Sequence, residues 1–142
     1  MAKSIVVDTN CWLRYSLKDH PLYFEHTKAM LEFVDKGIYR VSVPAIVLLE
    51  VYFHLIKSYQ NSPEKVRQYI KYIISLRNLN IINCTDFLIA YDWHQDYHIK
   101  LADCLIVSKI PSNSLIVTWD REFKKIPELK SRVFTPTELL KL

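Results

Sequence analysis

The stretch SIVVDTN, residues 4–10, decides how the rest of the chain is interpreted. Residues 5–7 are consecutive, apolar and β-branched, which is typical of a short strand that is buried on both faces. A carboxylate, a hydroxyl and an amide follow at once, in Asp8, Thr9 and Asn10. In an open parallel α/β sheet, ligands bind at the carboxyl ends of the strands. Asp8 is therefore expected at the edge where such folds carry out their chemistry.

Length and composition describe a globular protein and exclude several classes. With 142 residues, half of them hydrophobic, the chain is predicted to form one domain over residues 1–142. Asp8 interrupts the apolar start, so no signal peptide is predicted, and no window reaches the roughly 18 apolar residues of a membrane span. We therefore expect a cytoplasmic protein with no membrane partner and with reduced, buried cysteines. The single glycine, Gly37, excludes the glycine-rich phosphate loops of nucleotide-binding enzymes.

Short apolar segments alternate with amphipathic helical segments along the whole chain. This alternation predicts a mostly parallel sheet with helices on both faces, that is, a three-layer α/β/α sandwich. Helix ends are marked by Asn10 and Thr85 as expected N-caps, and by Gly37 as a left-handed residue after a helix. The expected strands cover residues 5–7, 39–43, 79–83, 114–118 and, at an edge, 132–135.

Four acids lie in apolar surroundings, where a charged side chain is costly. Asp8 ends the first strand, Asp120 follows the fourth, and Glu50 and Asp103 lie within apolar helical segments. A buried carboxylate destabilises a fold unless it is paired, hydrogen-bonded or bound to a metal. For any single acid, pairing with a base or with backbone N–H groups is the simpler interpretation. For all four together that interpretation is weak, because few basic residues lie near them in the sequence.

The four acids are instead expected to converge at the carboxyl edge of the sheet. Asp8 and Asp120 leave strand ends, and the helices that carry Glu50 and Asp103 can pass over the same edge. Four bare carboxylates repel one another too strongly to share a site. Oxygen-only ligation suits Mg²⁺ or Mn²⁺, which activate water and stabilise charge on a phosphate during displacement. The pattern therefore predicts metal-dependent phosphodiester hydrolysis.

The same residues resemble the PIN domain family in order and spacing, over essentially the whole chain. The matching motifs are DTN at residues 8–10, Glu50 in a helix after a Ser-x-Pro turn, LADCLI at residues 101–106 and TWDREF at residues 118–123. A compact chain of this kind is most similar to the VapC-type toxin ribonucleases. The resemblance implies an enzyme that uses Mg²⁺ or Mn²⁺, hydrolyses RNA, forms a homodimer and binds a small antitoxin protein. One departure is the turn before the fourth strand, where residues 111–113 replace the family's glycine without touching the acids.

The resemblance also assigns roles to individual residues. The expected catalytic and metal-binding acids are Asp8, Glu50, Asp103 and Asp120. Glu50 is either a ligand or the base that orients water. The expected polar supports, which would hydrogen-bond the carboxylates, are Thr9, Asn10 and Thr118.

Mild basicity is compatible with an RNA substrate, although the net charge of +4 does not require one. The bases that can meet substrate phosphates are Arg14, Lys100, Arg121, Lys124 and Lys125. A face for homodimer formation is expected on the helices between residues 44 and 77, where the candidates are Tyr52, Tyr59, Tyr69 and Tyr72.

Several other site types fit less well. His94 and His98 have a spacing that can bind zinc, but Gln95 stands where a metalloprotease has its glutamate, so a polar helix face is the simpler interpretation. A haloacid-dehalogenase-type phosphatase needs a second aspartate where Asn10 stands. A receiver domain does not explain Glu50, and a serine or cysteine hydrolase needs a glycine-flanked nucleophile.

Two functional alternatives stay open. One is a PIN-fold binding or scaffold module without activity, against which the intact set of four acids argues. The other is an RNA-processing nuclease outside toxin systems. A small antitoxin reading frame next to this one would favour the toxin.

Overall fold

A computed structural model describes residues 2–142, which form a five-stranded sheet flanked by helices. The strands are β1 Lys3–Val7, β2 Tyr39–Pro44, β3 Leu79–Ile82, β4 Leu115–Val117 and β5 Val133–Phe134. The helices are α1 Thr9–Leu17, α2 Pro21–Asp35, α3 Ala45–Lys57, α4 Pro63–Ile74, α5 Phe87–Tyr97, α6 Leu101–Val107 and α7 Pro136–Leu140. Two 3-10 helices cover Arg121–Lys125 and Lys130–Arg132.

The sheet is parallel throughout, in the order β3-β2-β1-β4-β5. Its helical layers confirm the predicted α/β sandwich. The central strand is β1, whose Ile5 pairs with Val41 on one side and Leu115 on the other. The chain moves outward from β1 to β2 and β3, and then returns to the other side of β1 as β4. Strand order thus reverses between β1 and β4, which is where open α/β sheets form their binding crevice.

The centre of the sheet is fully buried, as the apolar run at residues 5–7 predicted. Ile5, Val6 and Val7 have no exposed surface, and neither do Ile116 and Val117 beside them on β4. Burial of this kind stabilises a fold by about 25 cal/mol for each Å² of apolar surface removed from water. The buried strand pair thus positions Asp8 and Thr118, which directly follow β1 and β4.

Two predicted helix caps are wrong by one or two residues. Asp8, and not Asn10, is the N-cap of α1, because its carboxylate accepts a hydrogen bond from the Thr9 N–H. Asp86, and not Thr85, caps α5 by accepting from the Ile89 N–H. In both cases a carboxylate one or two residues away is the acceptor in place of the neutral side chain.

Gly37 ends α2 as predicted. Its φ is +80°, and its N–H donates to the Val34 carbonyl while the Ile38 N–H donates to the Phe33 carbonyl. This pair of bonds is the Schellman motif, which requires a left-handed residue at this position. The turn sends the chain directly into β2.

Two further expectations concern cysteines and membranes. Cys11 and Cys104 are buried free thiols as expected, but Cys84 is exposed, because the loop after β3 lies at the surface. Within residues 2–142, none of the helices has the length and apolar character needed to cross a membrane.

Gly37→Ala is expected to destabilise the protein by roughly 1–2 kcal/mol, because an L-residue is strained in the left-handed region. The added Cβ would be 3.8 Å from the Asn78 side-chain nitrogen, an ordinary contact, so the loss comes from the backbone alone. Urea unfolding measures it. Gly37→Asn is the control, since asparagine tolerates this conformation. Equal unfolding midpoints for wild type and Gly37→Ala would contradict the assignment.

Candidate active site

Asp8 is held rigidly at the point where the strand order reverses. Its backbone N–H donates to the Val117 carbonyl at 2.9 Å, so β1 and β4 stay paired up to this residue. One carboxylate oxygen accepts from the Thr9 N–H at 2.7 Å, and the other accepts from the Thr118 hydroxyl at 2.8 Å. The side chain is almost completely buried, with 4% exposure. Its direction is therefore set by two strands and the first turn of α1.

Thr118 connects three parts of the site through one hydroxyl group. The hydroxyl donates to Asp8 and accepts from the Asp120 N–H at 2.9 Å and the Asn10 side-chain amide at 3.2 Å. The side-chain Oδ1 of Asn10 accepts from the Trp119 backbone N–H at 3.1 Å. Thr118 thus hydrogen-bonds a carboxylate. Asn10 supports the loop after β4 and does not bond a carboxylate, which corrects its predicted role.

Glu50 reaches the site from α3 through Thr9. The Thr9 hydroxyl donates to a Glu50 carboxylate oxygen at 2.8 Å. Thr9 is buried and Glu50 half-buried. This bond uses one lone pair of one oxygen and leaves the rest of the carboxylate free for a further partner.

All four predicted acids line one pocket of about 180 Å³ at the end of the sheet. Asp103 enters it from the first turn of α6, and Asp120 enters from the start of the first 3-10 helix, which it caps through the Glu122 N–H at 2.9 Å. The pocket is lined by Asp8, Thr9, Asn10, Leu13, Glu50, His54, Lys100, Asp103 and Asp120. The structure therefore brings together side chains that are up to 112 positions apart in the sequence, from Asp8 to Asp120.

Two carboxyl groups hold their protons more tightly than ordinary aspartates. Burial, followed by repulsion from Asp103 and Glu50, raises the pKa of Asp8 to about 7, although the bonds from Thr118 and Thr9 act in the opposite direction. Burial and repulsion from Glu50, Asp120 and Glu122 raise the pKa of Asp103 to about 6, which Lys100 partly offsets. The acids thus repel one another, and the nearby positive charge of Lys100 compensates for only part of this repulsion.

The donor set suits a hard divalent cation, because every carboxylate in the pocket offers only oxygen. In the side-chain arrangement described for residues 2–142, however, no group of three or more Asp, Glu, His or Cys side chains is placed to hold a metal ion. The four acids are neighbours in one pocket and not a formed coordination shell. To bind a cation, their free oxygens would have to turn toward a common centre.

The five predicted phosphate contacts fall into different places. Lys100 lines the pocket beside Asp103. Arg14 forms an ion pair with Asp19, and Lys125 lies 2.6 Å from the Glu122 carboxylate. The pKa of Glu138 is lowered chiefly by hydrogen bonds with Thr135. The positive charges of Lys124 and Arg121 lower it further. Of the five, the structure places only Lys100 at the pocket.

His54 and Leu13 also line the pocket, and neither was a predicted site residue. His54 follows Glu50 by one helical turn on α3, so it lies on the same face, and this spacing was the available signal. Leu13 similarly follows Thr9 by one turn of α1. The alternative zinc pair, His94 and His98, lines a different pocket, where His94 Nδ1 lies 2.6 Å from the Ile99 carbonyl oxygen.

Fold and site together define an α/β protein with an acidic pocket at the reversal point of a parallel sheet. A family model described as the PIN domain matches residues 5–129. The chain belongs to the PIN domain family. No curated relative matches the sequence.

Solved structures show the same fold. The chain matches the crystal structure of VapBC2 from Rickettsia felis bound to a DNA fragment from their promoter, with a TM-score of 0.68 and 20% identity over 93% of this chain and 98% of that chain. It matches DNA-bound VapBC from Salmonella typhimurium with a TM-score of 0.68 and 21% identity, over 96% and 99%. A toxin–antitoxin complex from Klebsiella pneumoniae matches with a TM-score of 0.60 and 22% identity, over 93% and 97%. At these identities the likeness establishes the shared fold.

The pKa of Asp8 makes stability depend on pH in the metal-free protein. The carboxyl ionises near 3.8 in an ordinary setting and near 7 when folded, so stability is expected to fall as the pH rises between these values and then to level off. Asp8→Asn removes this loss. In EDTA, urea unfolding should show the variant gaining on the order of 3 kcal/mol over wild type at pH 8, and little at pH 4. Parallel pH profiles for the two proteins would contradict the assignment.

Proposed function

We propose that this protein is a divalent-metal-dependent endoribonuclease and the toxin of a toxin–antitoxin pair. The observation that carries the proposal is the single pocket lined by Asp8, Glu50, Asp103 and Asp120. Burial and repulsion within the pocket raise the pKa of Asp8 and Asp103, which favours a site that is completed by a cation. The family assignment supports a nuclease, and PIN domain nucleases generally use divalent metal ions.

The acids would hold Mg²⁺ or Mn²⁺, with Asp8, Asp103 and Asp120 as ligands and Glu50 as a ligand or a base. When bound, such an ion activates water and stabilises the charge that builds on the phosphate. Thr118 keeps the Asp8 carboxylate aimed into the pocket. Thr9 likewise orients Glu50 through their 2.8 Å hydrogen bond.

Basic side chains at and near the pocket are the proposed substrate contacts. Lys100 can bind an RNA phosphate there and offset the repulsion between substrate and acids. It is the one of the five predicted bases that lines the pocket. Arg121 and Lys124 can contact a longer RNA, which would make binding depend on salt.

The toxin assignment draws on the matched structures, two of them VapBC complexes and one a toxin–antitoxin complex. An antitoxin protein is accordingly the proposed partner. A small antitoxin reading frame beside the gene would favour a toxin over an RNA-processing nuclease of another kind. The rival proposal is a binding module without activity. The presence of all four acids in the pocket argues against it.

Homodimer formation is also proposed, although the predicted tyrosine face is only partly available. Tyr69 donates its hydroxyl to the Trp12 carbonyl at 2.6 Å, so it serves packing within the chain. Tyr59 and Tyr72 are 41% and 40% exposed and can still contact a second copy. Sedimentation of the purified chain measures the oligomeric state.

RNA cleavage by the purified protein tests the main proposal. With Mg²⁺ or Mn²⁺, single-stranded RNA should be cut, and EDTA should stop the reaction. Asp103→Asn should lower the rate about 100-fold or more, since loss of a supporting residue alone costs 10–100-fold. Asp92→Asn, the same change at an exposed acid on α5, is the control.

Calorimetry with Mn²⁺ gives an independent readout of the same site. Wild type should bind the ion, and Asp103→Asn should bind it much more weakly. No cleavage of total cellular RNA together with no Mn²⁺ binding would refute the nuclease. Cleavage that persists in EDTA would refute the metal requirement.

Thr118→Val tests the hydroxyl that orients Asp8. Valine has nearly the same shape but cannot donate, so cleavage is expected to fall about 10–100-fold while the fold is retained. Thr118→Ser keeps the donor and should retain most of the rate. Steady-state cleavage of one RNA under matched Mn²⁺ concentrations compares the three proteins, and equal rates for valine and serine would show that the bond is unimportant.

A further inference from the structure

Three aromatic rings form a continuous stack that ends at Trp119, the residue before the pocket acid Asp120. The His20 and Tyr23 ring centres are 3.7 Å apart with 14° between their planes, and those of Tyr23 and Trp119 are 3.9 Å apart with 11°. The stack joins the start of α2 to the loop after β4. Its spacing is close to the roughly 3.4 Å that separates successive nucleotides along a duplex strand.

The inner end of this stack is fixed to the network that holds the acids. Trp119 lies between Thr118, which bonds Asp8, and Asp120, which lines the pocket. Its backbone N–H donates to the Asn10 side chain, which also lines the pocket. The stack therefore keeps a constant position relative to the four carboxylates.

Trp119 packs against the hydrophobic core, and its indole N–H adds no hydrogen bond to that packing within residues 2–142. A buried indole N–H usually finds a hydrogen-bond partner. The Trp119 Nε1 atom is buried and has none among residues 2–142. The residue's contribution here is thus its flat surface, against which Tyr23 lies.

The outer end of the stack is open. His20 is exposed, and no second ring stacks on it in the part of the chain that the structure describes. The ring is not free to rotate, because its Nδ1 atom accepts from the Tyr23 N–H as the N-cap of α2. A flat, oriented aromatic surface is therefore presented to solvent, next to a site proposed to act on RNA.

We propose that the His20–Tyr23–Trp119 stack is a platform on which one nucleobase of the RNA substrate stacks, within a few nucleotides of the cut phosphodiester. The inference rests on the proposed nuclease function. Every base has a π-face, so such a platform serves single-stranded RNA of varied sequence.

Two variants of His20 separate stacking from helix capping. His20→Asn removes the ring but keeps a good N-cap, whereas His20→Trp keeps a stacking surface and loses the cap. Cleavage of a defined single-stranded oligoribonucleotide with Mn²⁺ should show His20→Asn losing about 10-fold in kcat/KM, chiefly through KM. His20→Trp should remain within about 3-fold of wild type, given stacking strengths typical of aromatic side chains.

An abasic scan of the substrate identifies the stacked nucleotide. In one position near the cut, removal of the base should lower wild-type kcat/KM about as much as His20→Asn does, and should cause no further loss in that variant. Unchanged kcat/KM in His20→Asn would overturn the platform. The platform would also be overturned if each abasic substitution lowered kcat/KM in His20→Asn by the same factor.

Failure of the platform and failure of the nuclease can be told apart. If wild type binds the oligoribonucleotide but does not cut it, the nuclease proposal is overturned. The platform is then tested by the affinities for the abasic oligoribonucleotides, measured by fluorescence anisotropy. If wild type cuts and His20→Asn cuts equally well, only the platform fails. If wild type neither binds nor cuts RNA, both proposals are overturned.

Discussion

The hydrogen bond from the Thr118 hydroxyl to the Asp8 carboxylate is the interaction on which this structure depends. It joins the ends of β1 and β4 at the point where the strand order reverses, and it directs the most buried acid into the pocket. The same hydroxyl accepts from the Asp120 backbone, so it positions a second acid in the same step. A β-branched threonine suits this place, because its backbone continues a strand while its hydroxyl both donates and accepts.

The clustered acids that are proposed to serve function lower the stability of the fold when they are ionised. Burial and repulsion raise the pKa of Asp8 and Asp103, which means that the folded protein is strained when both acids are ionised. Perturbed carboxyl groups of this kind cluster at functional sites. A neighbouring cation relieves the strain, and Lys100 supplies part of that relief without a metal. The proposed ion would therefore stabilise the fold, because it would bind where the ionised carboxylates repel one another.

Much of the site could be foreseen because the relevant signals are local. An acid that ends an apolar strand, or that interrupts an apolar helix, is recognisable from its neighbours alone, as Asp8 and Glu50 show. The helix caps were less predictable, since Asn10 and Asp8 both have suitable side chains and only the actual course of the backbone selects one. Among the basic residues, the sequence does not distinguish Lys100 from Arg14 as a substrate contact. In the structure, Lys100 at the start of α6 lines the pocket, whereas Arg14 pairs with Asp19.

The sequence by itself determined the alternation of strands and helices, the burial of β1 and the identity of the four acids, because burial and helical or strand periodicity are properties of neighbouring residues. Only the tertiary structure decided which distant groups meet. It placed Lys100 beside the acids, gave Asn10 its bond to Trp119, and aligned the rings of His20, Tyr23 and Trp119. These contacts depend on how α2, α3 and α6 pack at the carboxyl edge of the sheet, and the path of a helix across a sheet edge is set by long-range packing that no local pattern encodes.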